Sequence, residues 1–247
     1  MSVDSPDQLE GLKRAGRVVA ETLRVLRSAV APGVTTGELD RRAAEVFLAR
    51  GARSGPVMTY GYPGSICVSV DEEVVHGIPG DRTLKEGELV SLDVAAELDG
   101  YHADAAITVP VGRVDDLRRR LMIATRSALR VGINASRPGA TLREVGGAIE
   151  REVRRHGFQV FRELTGHGIG RAMHEEPTIY NWAEPDALER LTPGLVFTIE
   201  PMVSAGTTRI RLRRDGWTVE TTDASPAAHD EHTVMVTRGR PVVLTRA

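Results

Sequence analysis

The sequence contains an internal repeat, and this repeat constrains the fold more than any other feature. The strings PGVTTGEL, which begins at Pro32, and PGATLREV, which begins at Pro138, match in residue type at a separation of 106 positions. Self-similarity at a fixed spacing indicates a duplicated structural unit. We therefore expect a single domain, residues 1–247, built from two related halves at approximately 8–110 and 114–247.

Each copy of the repeat predicts a helical hairpin. Apolar residues between Gln8 and Val30 recur at steps of three and four, which is the period of an amphipathic helix. Both copies then carry a capping box, in which a Thr and a Glu three residues later satisfy each other's free backbone donors. The two boxes are Thr35 with Glu38 and Thr141 with Glu144. The predicted helices run from 8 to 30, from 35 to 51, from 115 or 116 to the Pro138-Gly139 stop, and from 141 to 157.

Both halves also deliver a carboxylate at the end of an apolar strand. LKEGELVSLD ends at Asp93, and LTPGLVFTIE ends at Glu200, 107 positions later. The first strand runs on to Asp99-Gly100, a dipeptide typical of a two-residue hairpin turn. In that register Asp104 faces Ala95, so Asp93 and Asp104 point to the same side of the sheet. Their diagonal spacing is too long for direct contact, but both can reach an ion pair between them.

The second half supplies a fourth carboxylate. The segments GWTVETTD from Gly216 and EHTVMV from Glu231 look like a second strand pair, which makes Glu231 the expected counterpart of Asp104. Burying several carboxylates in an apolar sheet is costly unless a cation compensates their charge. The four acids therefore predict a multivalent cation between the halves.

One histidine fits this set of acids. His167 lies in TGHGIG, where the flanking glycines keep side chains away from the imidazole and let backbone approach. An imidazole among oxygen ligands shifts the preferred ion from calcium or magnesium toward manganese, iron, cobalt or zinc. Five such ligands suit two ions about 3.5–4 Å apart, a centre that activates water and polarises a carbonyl.

Charge and cysteine content exclude several other classes of protein. The chain has 32 Lys and Arg residues against 34 Asp and Glu, a net charge of −2, which does not favour nucleic-acid or membrane binding. The arginine-rich segment RIRLRRDGW from Arg209 alternates with apolar residues and predicts a strand with one solvated face. The single cysteine, Cys67, cannot form an internal disulfide, and no apolar stretch predicts a leader or membrane span. These features favour a soluble cytoplasmic protein.

The order of these motifs resembles the bacterial type I methionine aminopeptidases along nearly the whole chain. The matching motifs are Asp93 with Asp104 eleven residues later, GHGIG with His167, TIEPMV with Glu200, EHT with Glu231, VVHGIP with His76, MHEEP with His174, and DGWTV with Trp217. The resemblance implies the pita-bread fold, an α/β fold with two pseudo-twofold-related halves of antiparallel sheet and covering helices. It also implies that the single domain is catalytic.

The resemblance assigns roles to the predicted site residues. Asp104 and Glu231 would bridge two divalent metal ions, which in this family are cobalt, manganese, iron, zinc or nickel. Asp93 would chelate one ion, and His167 with Glu200 would complete the other. Three residues would be catalytic, with Glu200 shuttling a proton, His174 steadying the oxyanion, and His76 contacting the scissile nitrogen or the tetrahedral intermediate.

A narrow apolar slot would select the methionine side chain. The substrate-binding residues implied by the resemblance are Tyr62, Cys67, His76, Met173, His174 and Trp217. Three positions depart from the family pattern. Met173 stands where Phe is common, Thr59 where an aromatic residue is frequent, and His229 where Gln is usual.

The implied function is removal of the initiator methionine from nascent proteins and peptides with a small second residue. The expected partner is a peptide or nascent-chain N-terminus, with a transient ribosome association, no specific nucleic acid, no membrane and a monomeric state. Two alternatives remain open at this point. One is an aminopeptidase P or prolidase, which shares the five ligands but usually carries an extra N-terminal domain, and the other is a catalytically inactive binding protein on the same fold.

Overall fold

The computed structural model describes residues 1–246 as a mixed α/β protein whose paired strands are antiparallel. The helices are α1 (Pro6–Ala29), α2 (Thr36–Arg50), α3 (Gly55–Tyr60), α4 (Asp116–Ala135) and α5 (Leu142–Arg155). The strands are β1 (Arg53–Ser54), β2 (Cys67–Val70), β3 (Glu73–Val75), β4 (Leu89–Leu98), β5 (Tyr101–Pro110), β6 (Gln159–Val160), β7 (Gly166–Gly168), β8 (Glu175–Ile179), β9 (Val196–Ile199), β10 (Met202–Ser204), β11 (Ile210–Leu212), β12 (Val219–Thr221), β13 (Ala227–His229), β14 (His232–Met235) and β15 (Val242–Val243).

The helix predictions are confirmed to within a few residues. The Thr35 backbone N–H donates to the Glu38 carboxylate over 2.7 Å, and the same bond at the same length joins Thr141 to Glu144. Both capping boxes are therefore formed, and Asp115 caps α4. The short helix α3 was not predicted. Within residues 1–246, no helix combines the length and the apolar content needed to cross a bilayer.

Two hydrophobic cores lie under the two helical hairpins. The first packs α1 and α2 against the sheet in which β4 is flanked by β2 and β5, with Leu12 and Leu92 fully buried. The second packs α4 and α5 against the sheet ordered β15-β14-β9-β7-β8, with Ile149 and Phe197 fully buried. Each core thus holds one apolar strand that carries or precedes a predicted site carboxylate. Asp93 lies within β4, which continues to Leu98, and Glu200 directly follows β9.

The β4–β5 hairpin is confirmed in the expected register. Asp99 and Gly100 both adopt positive φ at the turn, and Ala95 pairs with Asp104 across the hairpin. Asp93 pairs with Ala106, which leaves the two acids diagonal to each other on the same face.

The predicted pairing of the Gly216 and Glu231 segments is wrong. β12 pairs with β11 and β3, whereas β14 pairs with β9. The sequence shows two neighbouring strand patterns, and consecutive strands usually pair, but here β10 to β13 are inserted between β9 and β14. The strand predicted at Arg209 is confirmed as β11, whose Arg211 forms an ion pair with Glu220 of β12.

Glu231 nevertheless lies at the junction of the two halves. Its backbone N–H donates to the Ala106 carbonyl over 2.8 Å, and the Asp104 N–H donates to the Thr233 hydroxyl over 2.9 Å. These bonds join β5 to the segment that leads into β14. They hold the Asp104 and Glu231 carboxylates next to each other from opposite halves.

Candidate functional site

One cavity of about 310 Å³ brings together all the predicted site residues. The predicted residues that line it are Tyr62, Cys67, His76, Asp93, Asp104, His167, Met173, His174, Glu200, Trp217 and Glu231. Pro56 and Tyr60 line it as well. Residues far apart in the sequence therefore meet at one concave surface, which is where chemistry is expected in a folded enzyme.

Four carboxylates and an imidazole line this cavity together. Ligand-type atoms of Asp104, His167 and Glu231 all lie within 4.8 Å of one another. Asp93 lines the same cavity, and it lies diagonally to Asp104 on one face of the β4–β5 hairpin, as predicted.

The electrostatics of this cluster are unfavourable without a cation. Burial raises the pKa of Asp93 to about 6 and that of Glu200 to about 8. Burial, reinforced by the neighbouring acids, raises the pKa values of Asp104 and Glu231 well above their usual range. Within the described residues, no arginine or lysine lines the cavity to offset these charges.

The donor atoms fit divalent cations. Asp104 Oδ1 and Glu231 Oε1 are buried and find no hydrogen-bond partner within residues 1–246. Leaving a buried carboxylate oxygen unpaired is costly, and coordination to a metal is a common way to satisfy it. The mixture of carboxylate oxygens with an imidazole nitrogen is typical of transition-metal sites.

His167 is arranged as a metal ligand would be. Its Nδ1–H donates to the Gly168 carbonyl over 2.9 Å, which leaves the Nε2 lone pair facing Glu200 Oε1 at 3.5 Å. Burial lowers its pKa to about 3, so the ring is neutral at neutral pH and free to bind a cation. A Cβ on Gly168 would lie 2.1 Å from the Glu176 carbonyl oxygen, which explains why glycine is needed beside this histidine.

His174 and His76 lie on the rim of the cavity. The Tyr60 hydroxyl contacts His174 Nδ1 at 2.7 Å, and the His174 ring lies 4.0 Å from the ring of His167. A tyrosine that donates to Nδ1 favours the tautomer with a proton on Nε2, which can then donate to a substrate oxygen. His76 has a φ of 58°, a sparsely populated conformation for a residue with a side chain, and such conformations cluster at functional sites.

Aromatic and sulfur-containing side chains form another part of the cavity lining. Tyr62 packs edge-on against Trp217 with ring centres 5.2 Å apart, and its hydroxyl donates to the Gly77 carbonyl over 2.7 Å. Buried Cys67 and Met173 add sulfur to the lining. Burial raises the pKa of the Cys67 thiol well above its usual range, so the thiol stays uncharged. A neutral, sulfur-rich slot matches a flexible thioether side chain.

Two contributing residues were missed by the sequence analysis. Tyr60 supplies the aromatic ring that was sought at Thr59, because α3 turns Tyr60 toward the cavity and leaves Thr59 exposed and outside its lining. Thr198 donates its hydroxyl to Glu200 Oε1 over 2.6 Å and accepts from the His167 N–H over 3.0 Å. The two-residue spacing between Thr198 in β9 and Glu200 directly after the strand was the available signal.

Comparison with known proteins places the chain among the metallopeptidases. The model of metallopeptidase family M24 matches residues 10–238. The chain is 42% identical over 242 residues to methionine aminopeptidase 1 of Bacillus subtilis, which covers 98% of each protein. It is also similar to the crystal structure of methionine aminopeptidase from Thermotoga maritima, with a TM-score of 0.97, 38% identity and full coverage of both chains.

A more distant likeness concerns the fold alone. The prolidase from Pyrococcus furiosus superposes with a TM-score of 0.80 at 19% identity. The match covers 99% of this chain but only 65% of the prolidase. The two proteins therefore share an architecture, and the prolidase has a further third of its length outside the match.

Proposed function

Because the chain belongs to metallopeptidase family M24 and has its pita-bread fold, we propose that it is a methionine aminopeptidase. Its substrates would be peptides and nascent proteins whose N-terminal methionine is followed by a small residue. One observation carries the proposal. A cluster of four carboxylates and a histidine shares a cavity of about 310 Å³ with a sulfur-lined slot. A substrate anchored by its methionine side chain would present its first peptide bond to the metal-ligating groups.

The proposed metal centre holds two divalent cations, which are cobalt, manganese, iron, zinc or nickel. Asp104 and Glu231 would contact both ions, Asp93 one of them, and His167 with Glu200 the other. Such a centre supplies Lewis acidity and a water molecule activated at neutral pH. The two halves, 8–110 and 114–247, would thus act as one catalytic domain, because the ligands come from both.

Three side chains are proposed to act on the substrate directly. Glu200 holds and transfers a proton, and the Thr198 hydroxyl orients its carboxylate by donating to Oε1. His174, oriented by Tyr60, donates from Nε2 to the oxygen that becomes negative in the transition state. His76 contacts the scissile nitrogen or the tetrahedral intermediate from the rim.

The proposed setting follows from the substrate. Initiator methionine is exposed on nascent chains, so we place the protein in the cytoplasm, acting as a monomer with a transient ribosome association. No specific nucleic-acid contact is proposed, because the charge of the chain is nearly balanced.

A panel of Xaa-Ala-Ser peptides, assayed with added manganese or cobalt, tests the proposal. We expect release of methionine to exceed release of leucine or phenylalanine by at least about tenfold, because one misplaced methylene in a fitted slot costs roughly 1–3 kcal/mol. Met-Ala and Met-Ser peptides should be cleaved and Met-Lys peptides should not. An Asp104→Ala protein purified in parallel serves as the blank for contaminating peptidases.

The panel also separates the alternatives. Equal turnover of methionine, leucine and phenylalanine peptides would contradict the selective slot. Cleavage confined to peptides with proline in second position would identify a prolidase-like activity. Absence of both bound metal and turnover would leave a binding protein on this fold.

A further inference from the structure

His229 is a buried histidine that the proposed mechanism does not use. It ends β13, where it pairs with Met202 of β10, and only 2% of its surface is exposed. Within residues 1–246, neither ring nitrogen has a hydrogen-bond partner. Burying an unsatisfied polar atom costs about 1–3 kcal/mol, so an apolar residue would fill the same space more favourably. The ring therefore requires an explanation beyond packing.

The ring faces the carboxylate cluster. Nε2 lies 3.6 Å from Glu231 Oε2 and 4.0 Å from Glu200 Oε2. Ligand-type atoms of these three residues all lie within 4.8 Å of one another. They form a second triplet, which shares Glu231 with the triplet of Asp104 and His167.

These distances fit shared coordination better than direct hydrogen bonding. A hydrogen bond from an imidazole N–H to a carboxylate oxygen is about 2.7–3.2 Å long, shorter than either contact. Two atoms that each bind a tetrahedral ion at about 2.1 Å lie roughly 3.4 Å apart. The distance from His167 Nε2 to Glu200 Oε1 is 3.5 Å, nearly the same as that from His229 to Glu231. Glu200 thus lies between two imidazoles, one facing each of its oxygens.

We propose that His229 is an additional metal ligand, which gives its Nε2 to the cation that His167, Glu200 and Glu231 would hold. The inference rests on the proposed metal centre and adds a second imidazole to it. Nitrogen ligands favour zinc, cobalt, iron and nickel, whereas oxygen ligands favour manganese and magnesium. Glutamine, the usual residue at this position in the family that the sequence resembles, would offer an amide instead. The ratio of zinc affinity to manganese affinity should therefore be higher in the wild-type protein than in a His229→Gln variant.

Imidazole nitrogen NMR of the full-length protein tests the proposal without relying on activity. Protein labelled with ¹⁵N-histidine is freed of metal with a chelator and titrated with zinc alone. His229→Gln and His167→Gln assign the two signals. We expect both Nε2 resonances to move to the position of a zinc-bound nitrogen. His232 provides the matched control, because it follows Glu231 in the chain but its Nδ1 contacts the Thr245 hydroxyl at 2.9 Å instead of facing the cluster.

Zinc affinity, measured by competition with a chelator, provides the second measurement. His229→Gln should lower the zinc affinity at least about tenfold, because losing even a residue that only hydrogen-bonds to a metal ligand costs about tenfold or more. His232→Gln should leave the zinc affinity unchanged. A zinc-induced shift at His167 without one at His229, or equal affinity in wild type and His229→Gln, would overturn the inference and leave the metal centre intact. Shifts at both histidines in a protein that releases no methionine would support the inference and refute the proposed function.

Discussion

Glu231→Ala and Asp104→Ala should each abolish methionine release. The two carboxylates come from opposite halves and lie in the same cluster, so either loss removes a ligand that both cations would share. The loss of metal affinity should exceed the roughly 100-fold that removal of an outer hydrogen-bonding partner costs. Turnover of a Met-Ala-Ser peptide and metal content after dialysis measure the two effects.

Removing the charge of Glu231 should not destabilise the metal-free protein. Burial holds the pKa of Glu231 well above its usual range, so the charged form is unfavourable in the fold at neutral pH. Glu231→Gln removes that charge and should leave the thermal midpoint at pH 8 equal to or above that of metal-free wild type. Lost activity with retained stability is typical of a residue kept for function.

Asp230→Asn is the matched control for these variants. Asp230 is the buried acid next to Glu231, but its Oδ1 accepts from the Thr108 N–H over 3.0 Å and its other oxygen faces Arg126. Asparagine keeps the Oδ1 acceptor, so metal content and turnover should stay within about twofold of wild type. Full activity in Glu231→Ala, or equal loss in Asp230→Asn, would contradict the assignment of ligands.

Metal should stabilise the fold more strongly as the pH rises from 6.5 to 8.5. Glu200 has a pKa raised from 4.5 to about 8 in the metal-free fold, and Asp104 and Glu231 are raised well above their usual values. An acid whose pKa is raised by folding binds its proton more tightly in the native state, so stability falls as the pH rises toward the folded pKa. The buried histidines oppose this trend only below their ordinary pKa of about 6.5.

Thermal unfolding with and without manganese measures this effect. The midpoint of the metal-free protein should fall across the window, and that of the loaded protein should stay level or rise. At a free metal concentration about 100 times Kd, the gain is about 2.7 kcal/mol, or about 5–10 °C for a chain of this size. Glu200→Gln should reduce the fall in the metal-free protein. A gain in midpoint that does not depend on pH would contradict the raised pKa values of these carboxylates in the metal-free fold.

Local sequence signals predicted the parts of the fold that are determined locally. Capping boxes at Thr35 and Thr141 fix helix starts through contacts three residues apart, and these starts are confirmed. The Asp99-Gly100 turn fixed the β4–β5 register in the same way, because a two-residue turn leaves no freedom in the pairing. Each of these features depends on backbone chemistry within a few residues.

Pairing between distant segments was harder to predict. The β9–β14 pair is separated by an insertion of four strands, and nothing in the pattern of the Gly216 segment distinguishes a partner in β3 from one in β14. Tyr60 and Thr198 were not predicted because each acts through a contact with another site residue. Tyr60 contacts His174, and Thr198 donates to Glu200.

Two independent arguments, the cost of burying charged groups and the resemblance to a family, predicted residues that line one cavity. Burying several acids and a histidine together on apolar strands raises the free energy of the fold unless they share a bound cation. The resemblance to a family then added the rim histidines and the slot residues, which carry little signal individually.

Anomalous X-ray scattering from crystals grown with manganese tests the central claim most directly. We expect two anomalous peaks about 3.5–4 Å apart. Both should lie between the Asp104 and Glu231 carboxylates, with Asp93 near one and His167 with Glu200 near the other. Crystals in saturating manganese that show no anomalous peak within bonding distance of these five side chains would contradict the account.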